Sequence, residues 1–219
     1  MDRLIYERTL TREDDIKDFI LEGQARLSFS ENGMLMENAL EEGLGQKANY
    51  VLWCNEDFPS DLRITWDFKP LEEKGLCMLF FAAKGRNGKD LFDPSLEKRT
   101  GIYKQYHSGD IDTFHISYYR RKEPDEIAFH TCNLRKSYGF HLVAMAGDPI
   151  PNYYPGMDYF RMEVIKKGNE VAFRINDLDI LHYEDDGKTA GALLEGGKIG
   201  FRALAPMKAL YKNFRVYTD

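Results

Sequence analysis

Short segments in which apolar and polar residues alternate recur along most of the chain. Across residues 62–69 the even-numbered positions are apolar and the odd-numbered positions are polar, as in a strand with one buried face. Residues 76–83 are apolar throughout, which is typical of a strand covered on both faces. Turn residues separate these segments, so the pattern predicts an all-β sandwich or barrel.

The C-terminal third continues the pattern as a meander of five predicted strands. They occupy residues 160–164, 171–175, 178–183, 198–204 and 208–217. Lys167-Gly168-Asn169 and Asn176-Asp177 predict two of the turns, because Asn and Gly tolerate the positive φ of tight hairpins. Helical periodicity is weak, and the best candidate for a short helix is the segment 12–21.

Length and charge narrow the class of protein. The chain has 219 residues, so we expect one domain over residues 1–219. Its net charge of −6 argues against a general nucleic-acid binder.

No run approaches 18 apolar residues, and the first residues lack the apolar core of a secretory signal, so we expect a cytoplasmic protein without a membrane partner. The three cysteines are expected to be buried, reduced thiols.

Four longer segments resemble a known family. They are PLEEKGLCMLFFAA (70–83), DLFDPSLEKRTGIYKQYHSGDIDTFHISYYRRK (90–122), FHTCNLRKSYGFHLVAMAGDPIP (129–151) and GKIGFRALAPMKALYKNFRV (197–216). Together they are similar to the YesU-like family, whose function is unknown. The resemblance implies a concanavalin A-like jelly roll, a sandwich of two antiparallel sheets. Its implied setting, beside enzymes that degrade rhamnogalacturonan, suggests a pectin-derived, uronate-containing saccharide as ligand.

The richest cluster of polar and aromatic residues lies between Tyr103 and His141, and it is locally basic. Alternation along 113–121 predicts that His115, Tyr119 and Arg121 share the polar face of one strand. A second strand over 126–133 would place His130 beside His115, with 120–126 as the turn between them. Sugar-binding proteins of this superfamily use the concave sheet, so this face is the predicted site.

These residue types fit the chemistry of an acidic sugar. Arginine holds a carboxylate in a two-pronged contact, and Arg121 and Arg135 are the candidates. For proton transfer we expect His115 or His130, with Tyr119 as acid or hydrogen-bond donor.

Other residues are assigned to sugar binding. Trp53 lies out of phase with the core and is a candidate stacking platform, although a core position is equally consistent. Tyr103, Tyr106 and His107 match positions in the motifs of the family, and the resemblance assigns no role to them.

Two functions remain open at this point, beside the alternative that these polar residues have only a structural role on a solvated sheet. One is an enzyme on uronate-containing saccharides, a glycan lyase or a glycosidase. The other is a non-catalytic carbohydrate-binding, lectin-like module with the same face. The Glu-x-Asp-x-x-Glu pattern of sandwich glucanases is absent, and its nearest analogue, 123–126, is predicted to be a turn. We expect no cofactor and no metal site, and an exposed sheet edge could pair two subunits into a homodimer.

Overall fold

A computed structural model describes residues 2–219, and most of its regular secondary structure consists of antiparallel strands. In chain order, β1 to β15 are Arg3–Arg8, Phe19–Gly23, Ala25–Ser30, Gly33–Asn38, Tyr50–Phe58, Leu62–Pro70, Leu76–Gly85, Ile111–Tyr118, Thr131–Ser137, His141–Gly147, Phe160–Lys167, Glu170–Ile175, Leu178–Glu184, Gly197–Leu204 and Lys208–Thr218. Two short helices, α1 (Lys104–His107) and α2 (Pro124–Ala128), and three 3₁₀ turns (Glu13–Ile16, Glu42–Ala48 and Arg86–Gly88) complete the structure of these residues.

The strands form two sheets that face each other. The eight-stranded sheet has the order β13-β12-β11-β6-β15-β4-β3, and β1 also pairs with β15. The seven-stranded sheet has the order β10-β9-β8-β7-β14-β5-β2. This is the predicted two-sheet antiparallel sandwich of the concanavalin A-like kind.

The hydrophobic core lies between the sheets and follows the predicted alternation. Leu62, Ile64, Trp66 and Phe68 of β6 are buried in it, while Arg63 on the same strand faces outward. Three free cysteines, one each on β5, β7 and β9, are also buried, as expected for reduced thiols.

The five predicted C-terminal strands are present as β11 to β15, but only β11 to β13 form a meander, because β14 belongs to the seven-stranded sheet and β15 pairs with β6, β4 and β1. Asn176 and Asp177 have φ values of 50° and 63°, which is the left-handed backbone that a two-residue hairpin needs. The predicted helix at 12–21 is wrong, because only Glu13–Ile16 forms a 3₁₀ turn and Phe19 already begins β2. Within residues 2–219 we find no helix whose length and apolar character would let it cross a membrane.

Strand β7 is buried on both sides, as its continuous apolar sequence predicts. Its neighbour β14 runs through the middle of the same sheet, and Trp53 of β5 lies across Gly200 of β14. A Cβ on Gly200 would lie 2.4 Å from Cε3 of Trp53, so no larger residue fits without displacing the indole.

We expect Gly200→Ala to destabilise the protein by about 1–3 kcal/mol, because the added methyl group overpacks the Trp53 contact. Urea denaturation measures the change. Gly43→Ala is the control, since a Cβ there meets no atom within 4 Å. Equal stability of the two variants would contradict this account of Gly200.

Candidate functional site

The outer face of the seven-stranded sheet, which points away from the core, carries a continuous row of side chains. Backbone pairing places Trp53 opposite Gly200, Gly200 opposite Phe80, Phe80 opposite His115, and His115 opposite Arg135. The row is therefore apolar in the middle of the sheet and basic toward β9. His115 and Arg135, both predicted site residues, are direct cross-strand neighbours.

A second row lies beside the first on the same outer face. Arg202 of β14 sits between Val51 of β5 and Met78 of β7. Farther along, Ser117 of β8 pairs with Asn133 of β9. The outer face thus combines two arginines, a histidine and several small polar groups.

A covering segment, residues 86–110, packs over the apolar middle of this face. The ring of Tyr106 lies 5.5 Å from the Phe80 ring and 6.4 Å from the Trp53 ring, measured between centroids. Both Trp53 and Tyr106 are fully buried. Trp53 cannot act as the predicted stacking platform, because Tyr106 occupies the space above it and Glu22 accepts a hydrogen bond from its indole Nε1 at 2.9 Å.

Ion pairs and one glycine anchor the covering segment. Arg99 contacts Glu22 of β2 at 2.9 Å, and Asp90 contacts Lys198 of β14 at 3.1 Å. Gly101 has a φ of 94°, and a Cβ there would collide with the carbonyl oxygen of Asn49. These contacts hold the segment so that Tyr103 emerges beside His115.

His115 is buried and hydrogen-bonded at both ring nitrogens. Its Nδ1 lies 3.1 Å from the Tyr103 hydroxyl, and its Nε2 lies 3.1 Å from Oγ of Ser137. Burial, reinforced by the positive charges of Arg135 and Arg202, lowers the pKa of His115 well below 6.5. The imidazole is therefore neutral at pH 7, with one nitrogen donating and the other accepting.

Tyr103 is the centre of an aromatic cluster that borders solvent. Its ring packs edge-on against His107 at 4.8 Å and against Phe140 at 5.4 Å, while His107 stacks on Phe140 at 4.1 Å. Burial raises the pKa of Tyr103 to about 12, although the nearby arginines oppose the shift. The phenol is thus protonated and can donate a hydrogen bond at neutral pH.

Arg135 is partly buried at the edge of this cluster. Its guanidinium lies 4.0 Å from the centre of the Phe140 ring, and Nη1 donates to the Phe140 carbonyl oxygen at 3.2 Å. No carboxylate among residues 2–219 forms an ion pair with it. Arg135, the residue predicted to contact a carboxylate, lies on the same face as His115.

Two of the predicted residues, Tyr119 and Arg121, do not lie on this face. Strand β8 ends at Tyr118, and Tyr119 has a φ of 47°, so the alternation breaks there. The Tyr119 ring enters the core against Phe68, and its hydroxyl donates to the Glu72 carbonyl oxygen. Arg121 is fully buried and pairs with Asp148 at 3.3 Å.

The predicted strand over 126–133 is also wrong, and the error moves His130. Pro124 begins helix α2, in which Glu123 and Glu126 form a reciprocal capping box. Strand β9 starts only at Thr131, so His130 precedes the strand, and its carbonyl oxygen accepts a hydrogen bond from the Asp148 amide. The partner of His115 across the strands is Arg135, not His130.

Three residues near Tyr103 and His115 were not predicted from the sequence: Ser137, Phe140 and Arg202. Alternation along GKIGFRAL would have placed Arg202 outward, since Ile199 and Phe201 are buried in the core. Phe140 has a φ of 59° and lies in the turn between β9 and β10, where side-chain periodicity carries no information.

The titration of His115 gives a test of its burial. Below pH 6.5 the unfolded chain takes up a proton that folded His115 resists, so stability is lost as the pH falls below this value. Between about pH 7.5 and 5.5, the loss in the free energy of unfolding should be roughly 1 kcal/mol smaller in His115→Gln than in the wild type, as measured by urea denaturation. His182→Gln, at an exposed position, is the control; the same loss in both variants would argue against a buried neutral His115.

A structural role for Arg121 predicts a loss of stability upon substitution. Arg121→Gln leaves the buried Asp148 carboxylate without its cation, and we expect the free energy of unfolding to fall by about 3–5 kcal/mol. Arg161→Gln, on the other sheet, removes the same charge from an exposed side chain and should change stability by less than about 0.5 kcal/mol. A small effect of Arg121→Gln in thermal or urea denaturation would refute this role.

Comparisons with known proteins agree with the architecture. The uncharacterized protein YesU of Bacillus subtilis (strain 168) is 51% identical over 213 residues, which are 97% of this chain and 94% of YesU. The crystal structure of a protein of unknown function with a galectin-like fold, also from Bacillus subtilis, superposes with a TM-score of 0.94 at 50% identity, covering 99% of this chain and 96% of that one.

A more distant solved structure shares the fold alone. The carbohydrate-binding module CBM66 from Bacillus subtilis has a TM-score of 0.56 at 10% identity, covering 91% of this chain and 94% of the module.

The family model that matches the sequence describes a domain of unknown function, DUF1961. It aligns with residues 3–216, which include every strand of both sheets except the last two residues of β15. The chain therefore belongs to the DUF1961 family, the family of YesU.

Proposed function

We propose that the outer face of the seven-stranded sheet binds an acidic saccharide next to Tyr103, with Arg135 contacting a sugar carboxylate. The observation that carries the proposal is the Arg135 guanidinium, which is partly exposed and has no carboxylate partner among residues 2–219, although the chain as a whole carries a net charge of −6. Unpaired arginine is well suited to a carboxylate ligand, because its fork matches both oxygens.

The neighbours of Arg135 suit a sugar ring. The Phe140 ring is stacked against His107 and the Arg135 guanidinium, so it offers its edge, next to Tyr103, for apolar contact with a pyranose. Leu142, the cross-strand partner of Arg135 on β10, is exposed and extends this apolar border. Similarity of fold to a carbohydrate-binding module supports a carbohydrate as the ligand class. We propose pectin-derived, uronate-containing oligosaccharides, the class that the family resemblance implies.

A second candidate function is turnover of such a saccharide by β-elimination. It is favoured by the hydrogen-bonded chain from Tyr103 through His115 to Ser137, which lies beside Arg135. In this reaction a base removes the C5 proton, the C4–O bond breaks as the C4–C5 double bond forms, and the departing oxygen takes up a proton. Tyr103, rather than Tyr119, is the phenol positioned to transfer a proton, with neutral His115 as its partner.

The test uses trigalacturonate, its methyl ester and rhamnogalacturonan oligosaccharides with the purified protein. We expect the acids to bind, and we expect Arg135→Gln to weaken binding of trigalacturonate roughly 10- to 100-fold, because a charge-assisted contact is lost. Binding of the methyl ester should change little. Isothermal titration calorimetry measures all affinities, with Arg161→Gln as the charge-matched control on the opposite sheet.

Mass spectrometry and the absorbance of the unsaturated uronate separate the two functions. Product formation that disappears in His115→Gln, with binding retained, would establish the lyase. Binding without product would establish the non-catalytic module. If none of the saccharides binds, or if Arg135→Gln and Arg161→Gln behave alike, the proposed site is refuted.

A further inference from the structure

Arg202 is the most unusual charged group on the outer face. Its side chain is fully buried, and none of Nε, Nη1 and Nη2 has a hydrogen-bond partner among residues 2–219. A guanidinium has five N–H donors, and a buried charge is costly unless it is paired. Buried polar groups in folded proteins nearly always have partners, so this arginine requires an explanation.

The two tyrosines of the covering segment compensate only in part for the contacts with water that the buried Arg202 guanidinium lacks. Its Cζ lies 4.9 Å from the centre of the Tyr103 ring and 5.1 Å from that of Tyr106. Such cation–π contacts favour the charge, but they accept no hydrogen bonds in the guanidinium plane. The N–H donors of Arg202 therefore remain without acceptors among residues 2–219.

The acidic side chain that acts most on Arg202 is already engaged. Glu22 exerts an attractive charge on Arg202, yet its oxygens accept hydrogen bonds from Trp53 Nε1 at 2.9 Å and from Arg99 Nε at 3.2 Å. Arg99 also makes a 2.9 Å ion pair with Glu22. The local arrangement thus neutralises Glu22 with Arg99 and leaves Arg202 unneutralised.

Tyr103 is the side chain that joins Arg202 to the proposed saccharide site. Its ring covers Arg202 and packs against Phe140 beside Arg135, and its hydroxyl is hydrogen-bonded to His115. Unlike the fully buried Tyr106, Tyr103 is partly exposed to solvent. A rotation of this one side chain would connect the buried guanidinium with the surface.

We propose that Arg202 is a carboxylate subsite of the saccharide site and that Tyr103 is its gate. In the closed state the Tyr103 ring covers the guanidinium; in the bound state the ring is displaced and a uronate carboxylate contacts Arg202. This inference rests on the proposed function, and it adds a second arginine, three strands away from Arg135 in the sheet, to the recognition of acidic sugars.

The subsite has a consequence for stability that a purely structural arginine would not have. Replacing a buried, unpaired charge by an apolar side chain of similar size is neutral or stabilising. Arg202→Met should therefore unfold at the same temperature as the wild type or at a higher one. If Arg202 served instead to hold the covering segment, the same substitution would lower the unfolding temperature.

The binding experiment compares trigalacturonate with its methyl ester, which differ in charge, on wild type, Arg202→Met and the control Arg161→Met. We expect Arg202→Met to weaken trigalacturonate binding at least tenfold and to leave the affinity for the ester within about twofold. The control should match the wild type. Inorganic phosphate at equal concentration checks that the subsite prefers a carboxylate.

The outcomes separate this inference from the proposed function. If wild type binds neither saccharide, both are refuted. If trigalacturonate binds equally well to wild type and Arg202→Met while Arg135→Gln weakens it, the proposed function stands and the Arg202 subsite is refuted. Phosphate binding in preference to trigalacturonate, lost in Arg202→Met, would refute the assignment to a carboxylate.

The gate is tested by the access of a small reagent to Arg202. Phenylglyoxal modifies exposed guanidinium groups, and mass spectrometry locates the product. We expect Arg202 to react slowly in the wild type, at least ten times faster in Tyr103→Ala, and more slowly again when trigalacturonate is bound. Equal rates in wild type and Tyr103→Ala would show that the Tyr103 ring is not the barrier.

Discussion

The packing of the covering segment on the seven-stranded sheet is the contact on which the site depends. The middle of that sheet is apolar on both faces, and its outer side chains, among them Trp53 and Phe80, need protection from water. Tyr106 supplies it, and the ion pair between Arg99 and Glu22 holds the segment in place. Since the segment covers only part of the sheet, Arg135 and Phe140 at its border remain partly exposed.

Much of the fold follows from alternation, whereas the site follows from it only where strands continue. His115 lies inside β8, so its outward direction could be inferred, whereas its pairing with Arg135 of β9 was missed because the second strand was predicted over 126–133. Tyr119 and Arg121 follow the end of β8, where one residue of positive φ reverses the side-chain direction. The Glu123–Glu126 capping box with Pro124 was the local signal that residues 124–128 form a helix and that His130 precedes the strand. Covering of Trp53 by Tyr106 is a contact between distant segments, which no local pattern reveals.

Opposite charges are distributed unevenly between the two outer faces. On the eight-stranded sheet, arginines are matched with carboxylates, as in Arg174 with Asp179 and Arg215 with Glu7. Around Tyr103 the positive groups outnumber their partners. Burial lowers the pKa of His115 and these charges reinforce the shift, while the same charges oppose the rise that burial causes in the pKa of Tyr103. A neutral imidazole next to a protonated phenol and an unpaired guanidinium gives this small region donors, acceptors and charge within a few ångströms of one another.

The position of β15 has a consequence for how the protein folds. Although it is the last strand in chain order, it lies inside the eight-stranded sheet, with β6 on one side and β4 and β1 on the other. Strands β6, β4 and β1 each lack one neighbour until residues 208–218 pair with them. Pairings such as Arg3 with Thr218 join residues that are far apart in the sequence, so folding is expected to be slow. Until β15 is in place, the unpaired edges of these strands are open to pairing with other chains.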